Sequence, residues 1–192
     1  MARLPVATRE SIPEGQKEVF DEMVQKLGGV PPFGPGSVLI HVPQAHKDAT
    51  ALNDYLRNDS SLPKKILELS MLVTAREMDC QHIWNAHAGS AREAGVPGTL
   101  VDELREKREL TGMAPDEEAV VNLGREFFRT HKVSRGAFQA ALEQFGQTGV
   151  VELVLTMGNY TLLSFAINTF DTDLPPNRSE PLLPIMRGRS RG

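Results

Sequence analysis

Three residues of this 192-residue chain stand at spacings that suit proton or thiol chemistry: Glu68, Cys80 and His87. Cys80, Ile83, Trp84 and His87 recur at i, i+3, i+4 and i+7, which sets them on one stripe of a helix. Cys80 falls in the first turn, where free backbone N–H groups and the helix dipole favour a thiolate. His87 lies two turns further on, roughly 10 Å along the axis at 1.5 Å per residue, so a bridging water or a third group is needed to couple the two. Glu68, on the preceding helix, is brought alongside both by an antiparallel hairpin. A carboxylate beside an imidazole is general acid–base machinery near neutral pH. A thiolate beside the same pair is a nucleophile for peroxides. Each residue also has an ordinary structural reading: a small core thiol, a hydrogen-bonded core histidine, and an acid paired with Arg76 or a lysine.

The elements that must position these groups read as helices. Gln16 to Leu27 places Val19, Phe20, Met23, Val24 and Leu27 on one face and ends at Gly28-Gly29. Gly28 to Gly36 reads as a loop, followed by a short apolar turn from Ser37 to Val42. Pro43 opens a helix with Ala49, Leu52 and Leu56 inward, and Pro63 opens another running to about Met78. Asp79 is the expected N-cap of a helix from Cys80 to Ala94, stopped by Gly95. Pro115 with Asp116, Glu117 and Glu118 starts a helix whose apolar face holds Ala119, Val120, Leu123, Phe127 and Phe128. Ser134 caps Arg135 to Phe145, with Phe138, Leu142 and Phe145 inward. Gly146 closes that helix, and Thr148 opens a long apolar one to about Phe170. No segment alternates with period two, so the fold class is all-α: a single-domain helical bundle over residues 1–174. Residues 175–192 read as an extended arm, disordered or wrapped over a neighbouring subunit, with Arg187, Arg189 and Arg191 near its end. A weak internal repeat sets Glu68-Leu69 on Glu152-Leu153, Cys80 on Ser164, Ile83 on Ile167 and His87 on Asp171.

Composition narrows the function. The formal charge is −4, from 21 Lys+Arg against 25 Asp+Glu, which gives no nucleic-acid footprint. One cysteine makes neither an intrachain disulfide nor a Cys-rich zinc site. His41 and His46, like His82 and His87, are five apart rather than the four of a zinc helix, so no metal is expected, and no cofactor motif is present. Val150 to Phe170 is largely apolar, but Glu152, Asn159 and Asn168 interrupt it, which favours a buried core helix over a membrane span. A free thiol without an export signal suits a reducing cytoplasm.

The segment Glu68, Cys80, Ile83, His87 resembles the carboxymuconolactone decarboxylase family, which includes the alkyl hydroperoxidase D branch. The hydroperoxidase pattern is Glu, eleven residues, Cys-x-x-Cys, three residues, His; here Ile83 replaces the second cysteine. Flanking stretches are also similar to longer members: Val38-Leu-Ile-His-Val-Pro43, Tyr55-Leu-Arg, Ser61 to Glu68, Ala75-Arg-Glu77, Ala91 to Gly95, Arg129 to Val133, and Val151-Glu-Leu153 through Asn159-Tyr160 to Asn168. The resemblance covers roughly Pro13 to Leu174, and it implies an alkyl hydroperoxidase D-like helical fold and a homo-oligomer, a trimer or a dimer of trimers.

Without a second thiol the two-cysteine peroxide cycle is excluded, and three readings stay open. The first is decarboxylation of a small carboxylated, lactone-like compound of aromatic catabolism. His87 would be the general acid or base, Glu68 would orient it, and Trp84 would pack the substrate ring. His41 or His82 would supply a donor to an oxyanion, and Arg76 or Arg92 would clamp the carboxylate. His82 lies about 140° from His87 at roughly 100° per residue, so it is expected to face solvent or a subunit contact. The second reading is a one-cysteine peroxidase in which Cys80 attacks peroxide and an external thiol resolves the sulfenic acid. The third is a binding protein without turnover.

Overall fold

The computed structural model describes residues 2–185, and among them there are helices and turns but no strand. Eight α-helices follow in order: α1 (Lys17–Leu27), α2 (Gly34–Leu39), α3 (Pro43–Asn58), α4 (Lys64–Glu77), α5 (Gln81–Glu93), α6 (Gly98–Glu106), α7 (Pro115–Thr130) and α8 (Arg135–Phe170). The centre is α4. Every residue from Ile66 to Arg76 is buried, because α5, α7 and α8 surround it. A helix enclosed on all sides must be apolar all round, and any acid within it needs a partner.

Most of the sequence reading stands, with informative exceptions. α2 begins within the expected Gly-rich loop, and α6 was not foreseen, although Leu100, Val101 and Leu104 bury one face of it. Asp79 is not the N-cap of α5. It adopts a left-handed backbone (φ 48°), Cys80 takes the cap position, and the Cys80 N–H donates to the Ala75 carbonyl at 2.8 Å. A tight reversal between two buried helices requires one such residue, and aspartate tolerates it better than most. Ser134 caps α8 as expected, accepting from the Ala137 N–H. Gly146 leaves the helical dihedrals (φ 65°, ψ −179°), so α8 is two helices that meet at a kink there, as the sequence reading expects.

The proposed repeat does not extend to local structure: residues 68–87 reverse at Asp79, whereas residues 152–171 follow one helix. Leu52, Phe127 and Phe138, expected inward, are exposed. The segment after Leu174 is irregular, and through Ile185 it docks on the chain's own α5. Gln81 exchanges two hydrogen bonds with the Leu183 backbone, Asn85 donates to the Glu180 carbonyl, and the Leu183 side chain is buried in the main core. Arg187, Arg189 and Arg191 lie outside the described residues.

Candidate active site

The hairpin between α4 and α5 sets Glu68 opposite His87. The imidazole Nδ1 donates to Glu68 Oε2 at 2.8 Å, and both residues are buried. Against an ionised carboxylate this nitrogen must carry the proton, which leaves Nε2 as the basic position. The edge of Tyr160, from α8, packs on the imidazole at 5.1 Å between centroids and 83° between planes. Burial, with the nearby Glu68 charge and despite Arg57, pushes the Tyr160 hydroxyl up to about 12, so it stays a neutral phenol. In the sequence Tyr160 stands out only as a residue flanking the motif, because its contact with His87 depends on how α8 crosses the hairpin.

Glu68 reaches a cleft of 320 Å³, within the range of small-molecule sites, whose wall includes Arg57 and Asn58 of α3, Lys64 and Met71 of α4, and Ser60 between them. Glu68 Oε1 makes no hydrogen bond among the described residues, and neither Arg57 nor Lys64 forms a salt bridge there. Two cations without a salt bridge among the described residues thus line the same small cleft as Glu68. The rim is held from behind by Glu152 of α8, which accepts from Tyr55 Oη (2.9 Å), Ser61 N (2.9 Å) and Ser61 Oγ (2.6 Å). Burial alone would raise the Glu152 carboxyl, but the bonds from Ser61 and Tyr55 outweigh it and hold the group below its usual value.

The other candidates fall elsewhere. Cys80 is fully buried and does not line the Glu68 cleft. Burial pushes its thiol up, only partly offset by the Ile83 backbone, the Ser164 hydroxyl and the His82 backbone, so the expected thiolate is not favoured. Trp84 shares the stripe but is wholly enclosed, so it is a core residue rather than a substrate platform. His82 does not face solvent freely. Its ring rests on Gly34 of α2, where an added Cβ would come within 2.3 Å of Nε2, and it lines a separate cleft of 970 Å³ with Asn168 and Arg178. Burial lowers its pKa, and the charge of His87 lowers it further. His41 sits in the turn between α2 and α3, half-buried with Nε2 unbonded among the described residues, and does not line the Glu68 cleft. Arg76 is buried against Asp79 at the opposite end of α4, and Arg92 is engaged by Asp102, Glu180 and the Gly98 carbonyl. Neither is free to clamp a carboxylate in the Glu68 cleft. Arg57 and Lys64 are the cations there, and the signal for them was the family-like stretches in which they stand.

Residues 43–126, which span α3 through most of α7 and hold the Glu68–His87 pair, match the model of the carboxymuconolactone decarboxylase family. Over this segment the chain is similar to that family. Solved structures share the fold well beyond the matched segment. The alkylhydroperoxidase AhpD core of an uncharacterized peroxidase-related protein from Ralstonia eutropha JMP134 is 20% identical, with a TM-score of 0.69 over 91% of this chain and 93% of that one. A peroxidase-related protein from Silicibacter sp. TM1040 is 16% identical, with a TM-score of 0.66 over 91% and 92%. The debrominase Bmp8, bound to 2,3,4-tribromopyrrole, is 10% identical, with a TM-score of 0.63 over 92% of both chains. No curated protein matches the chain. Where the hydroperoxidase pattern has its second cysteine, this chain has the buried Ile83.

Proposed function

We propose that the chain is a cytoplasmic enzyme that catalyses proton transfer, of the decarboxylase kind, on a small carboxylated or lactone-like compound held in the Glu68 cleft. The observation that carries this reading is the buried Glu68–His87 hydrogen bond, on the wall of a cleft that Glu68 lines together with Arg57 and Lys64. In such a reaction the bond from carbon to the carboxylate breaks and carbon dioxide leaves. Its electron pair spreads into the conjugated lactone as an enolate, and the Glu68–His87 pair, holding one proton beyond the one on Nδ1, delivers that proton to complete the product. The pair then recovers that proton from water. Arg57 and Lys64 hold the substrate's negative groups and stabilise the enolate. Glu68 exchanges the proton at the cleft wall, and His87 behind it stores the proton and fixes the carboxylate. The one-cysteine peroxidase reading needs peroxide at Cys80 Sγ, which is fully buried and does not line the Glu68 cleft, so Cys80 belongs to the core in this proposal.

The test is carbon dioxide release and loss of ultraviolet absorbance on a panel of carboxylated unsaturated lactones. Turnover that falls at least about a hundredfold in Glu68→Gln supports the reading. Turnover unchanged in Glu68→Gln, or no binding of any carboxylated lactone to the wild-type protein by calorimetry, overturns it.

A further inference from the structure

Ser60 stands in the wall of the Glu68 cleft, and its hydroxyl has no task in the fold. The Oγ is shielded from water and has no hydrogen-bond partner among the described residues. A serine so close to a helix end ordinarily bonds a backbone carbonyl three or four residues back. Elsewhere in the chain that rule holds: Ser70 donates to the Leu67 carbonyl, Thr74 to that of Ser70, and Thr156 to that of Glu152. Two further shielded hydroxyls lack a partner, but Ser164 lies beside Cys80 in the core and Thr172 lines the cleft of His82. Of the three, Ser60 is the one that shares a cleft with Glu68, Arg57 and Lys64.

The backbone on both sides of this hydroxyl is fixed. The Ser60 N–H donates to the Tyr55 carbonyl at 3.1 Å and closes the end of α3. Ser61 gives both its N–H and its Oγ to Glu152, which also accepts from Tyr55 Oη. Pro63 then opens α4, its carbonyl accepting from the Ile66 and Leu67 N–H groups. A hydroxyl on so short and so tethered a connection keeps its place when a ligand enters. Left unpaired it costs the free protein stability, and a ligand oxygen that pairs with it removes that cost. Such a group is how a site distinguishes two ligands that differ by one polar atom.

The neighbours decide which ligand atom that is. Arg57 and Lys64 take up a carboxylate, and the Glu68 carboxylate repels a second anion. A neutral O–H in the same wall suits a neutral acceptor, the carbonyl oxygen of a lactone. That oxygen gains negative charge as the enolate forms, so the same bond strengthens along the reaction. An acid without the ring carbonyl engages the two cations equally well and leaves Ser60 unpaired.

We propose that Ser60 Oγ is the specificity determinant of the Glu68 cleft, donating to the carbonyl oxygen of a lactone whose carboxylate lies on Arg57 and Lys64. This rests on the reading of the cleft as a carboxylate site.

The test is calorimetric binding of two probes to the full chain, which needs no turnover. Butyrolactone carboxylate carries the lactone carbonyl but is saturated, so it lacks the conjugation needed to lose carbon dioxide. Tetrahydrofurancarboxylate keeps the ring size, ring oxygen and charge without that carbonyl. The wild type is expected to bind the lactone roughly 3–15-fold more tightly, as one neutral hydrogen bond allows. Ser60→Ala is expected to lose this preference by weakening the lactone alone. Its Tm should equal that of the wild type or exceed it, since an unpaired shielded hydroxyl is gone. Equal affinities in the wild type, a Ser60→Ala variant that weakens both probes alike, or a Tm lowered by several degrees overturns the proposal and leaves the carboxylate site standing. Binding of neither probe overturns the carboxylate site, and the proposal with it.

Discussion

His87 Nδ1 donates to Glu68 Oε2 at 2.8 Å, and this bond joins α4 to α5 across the most enclosed part of the molecule. An acid in the middle of a helix buried on every side persists only with a partner, and removing the partner strands the charge. His87→Ala is therefore expected to destabilise the fold by about 3–5 kcal/mol in urea unfolding. Glu68→Gln, which keeps shape and a hydrogen-bonding oxygen, is expected to cost only about 1–2 kcal/mol. Equal losses in the two variants would show that the carboxylate is not stranded when the imidazole is removed.

Arg57 and Lys64 are exposed, without acidic partners among the described residues, on the wall of the Glu68 cleft. Their removal touches binding rather than folding. Arg57→Ala should raise KM for a carboxylated substrate by about 10–100-fold, as loss of a charge-assisted contact does, with Tm within a few degrees of wild type. Lys64→Ala should act in the same direction. Steady-state kinetics over ionic strength checks both, since screening should weaken substrate capture in the wild type more than in the double variant. A KM unmoved by either substitution would place the anion elsewhere.

The sequence carried the stripe of Cys80, Ile83, Trp84 and His87 because helical period alone decides which residues share a face. It also carried the Glu68–His87 pairing, since an antiparallel hairpin of two short helices leaves little choice of register. Period could not say what covers a face. Leu52, Phe127 and Phe138 have the spacing of core residues, yet they stand at the surface. The thiolate expected at Cys80 failed for a related reason: a helix N-terminus lowers a thiol's pKa, but complete burial raises it more. The proposed clamp of Arg57 and Lys64 was hidden because their shared cleft depends on the end of α3 meeting the start of α4. Glu152 fixes that meeting from more than ninety residues away in the chain. The α6 helix escaped notice because its nine residues follow Pro97 and begin at Gly98, which read as loop punctuation.

Cys80 is enclosed by the core, with its thiol pushed up by burial. It is expected to react with an aromatic disulfide reagent only as fast as the protein opens, and fully once denaturant is added. Cys80→Ser should leave lactone turnover within about twofold of wild type while lowering stability by about 1–2 kcal/mol, the cost of a hydroxyl in a thiol's apolar place. Stopped-flow labelling and urea unfolding check the two halves. Rapid stoichiometric labelling of the native chain would return Cys80 to the list of reactive groups.

Acid should loosen the packing around α2. Burial lowers the pKa of His46 and, with the His87 charge, of His82, whose ring rests on Gly34. Both imidazoles are therefore neutral in the folded chain at pH values where the unfolded chain has begun to bind protons. Their share of stability is fully present above the ordinary histidine value, about 6.5. It is lost progressively as pH falls from there through the lowered folded values. Urea midpoints measured from pH 7.5 to pH 5 should fall over that window, and a His46→Gln, His82→Gln double variant should flatten the fall. A midpoint constant down to pH 5 in the wild type, or a slope unchanged in the double variant, would assign acid sensitivity to other groups.

The strap after Leu174 should matter to the hairpin that carries the site. Gln81 and Leu183 exchange two backbone–side-chain hydrogen bonds at 2.7 and 2.8 Å, and the Leu183 side chain is 3% exposed. Leu183→Ala removes most of a buried leucine from a surface strap that can partly collapse, so the expected cost is about 2–3 kcal/mol, the low end for such a change. Gln81→Ala removes both hydrogen bonds and should cost about 1–3 kcal/mol. Because Gln81 opens α5, its loss should also raise hydrogen exchange at the first turn of that helix more than at α7. Exchange that rises equally in α5 and α7 would mean that the strap supports the whole bundle rather than the start of the helix bearing His87.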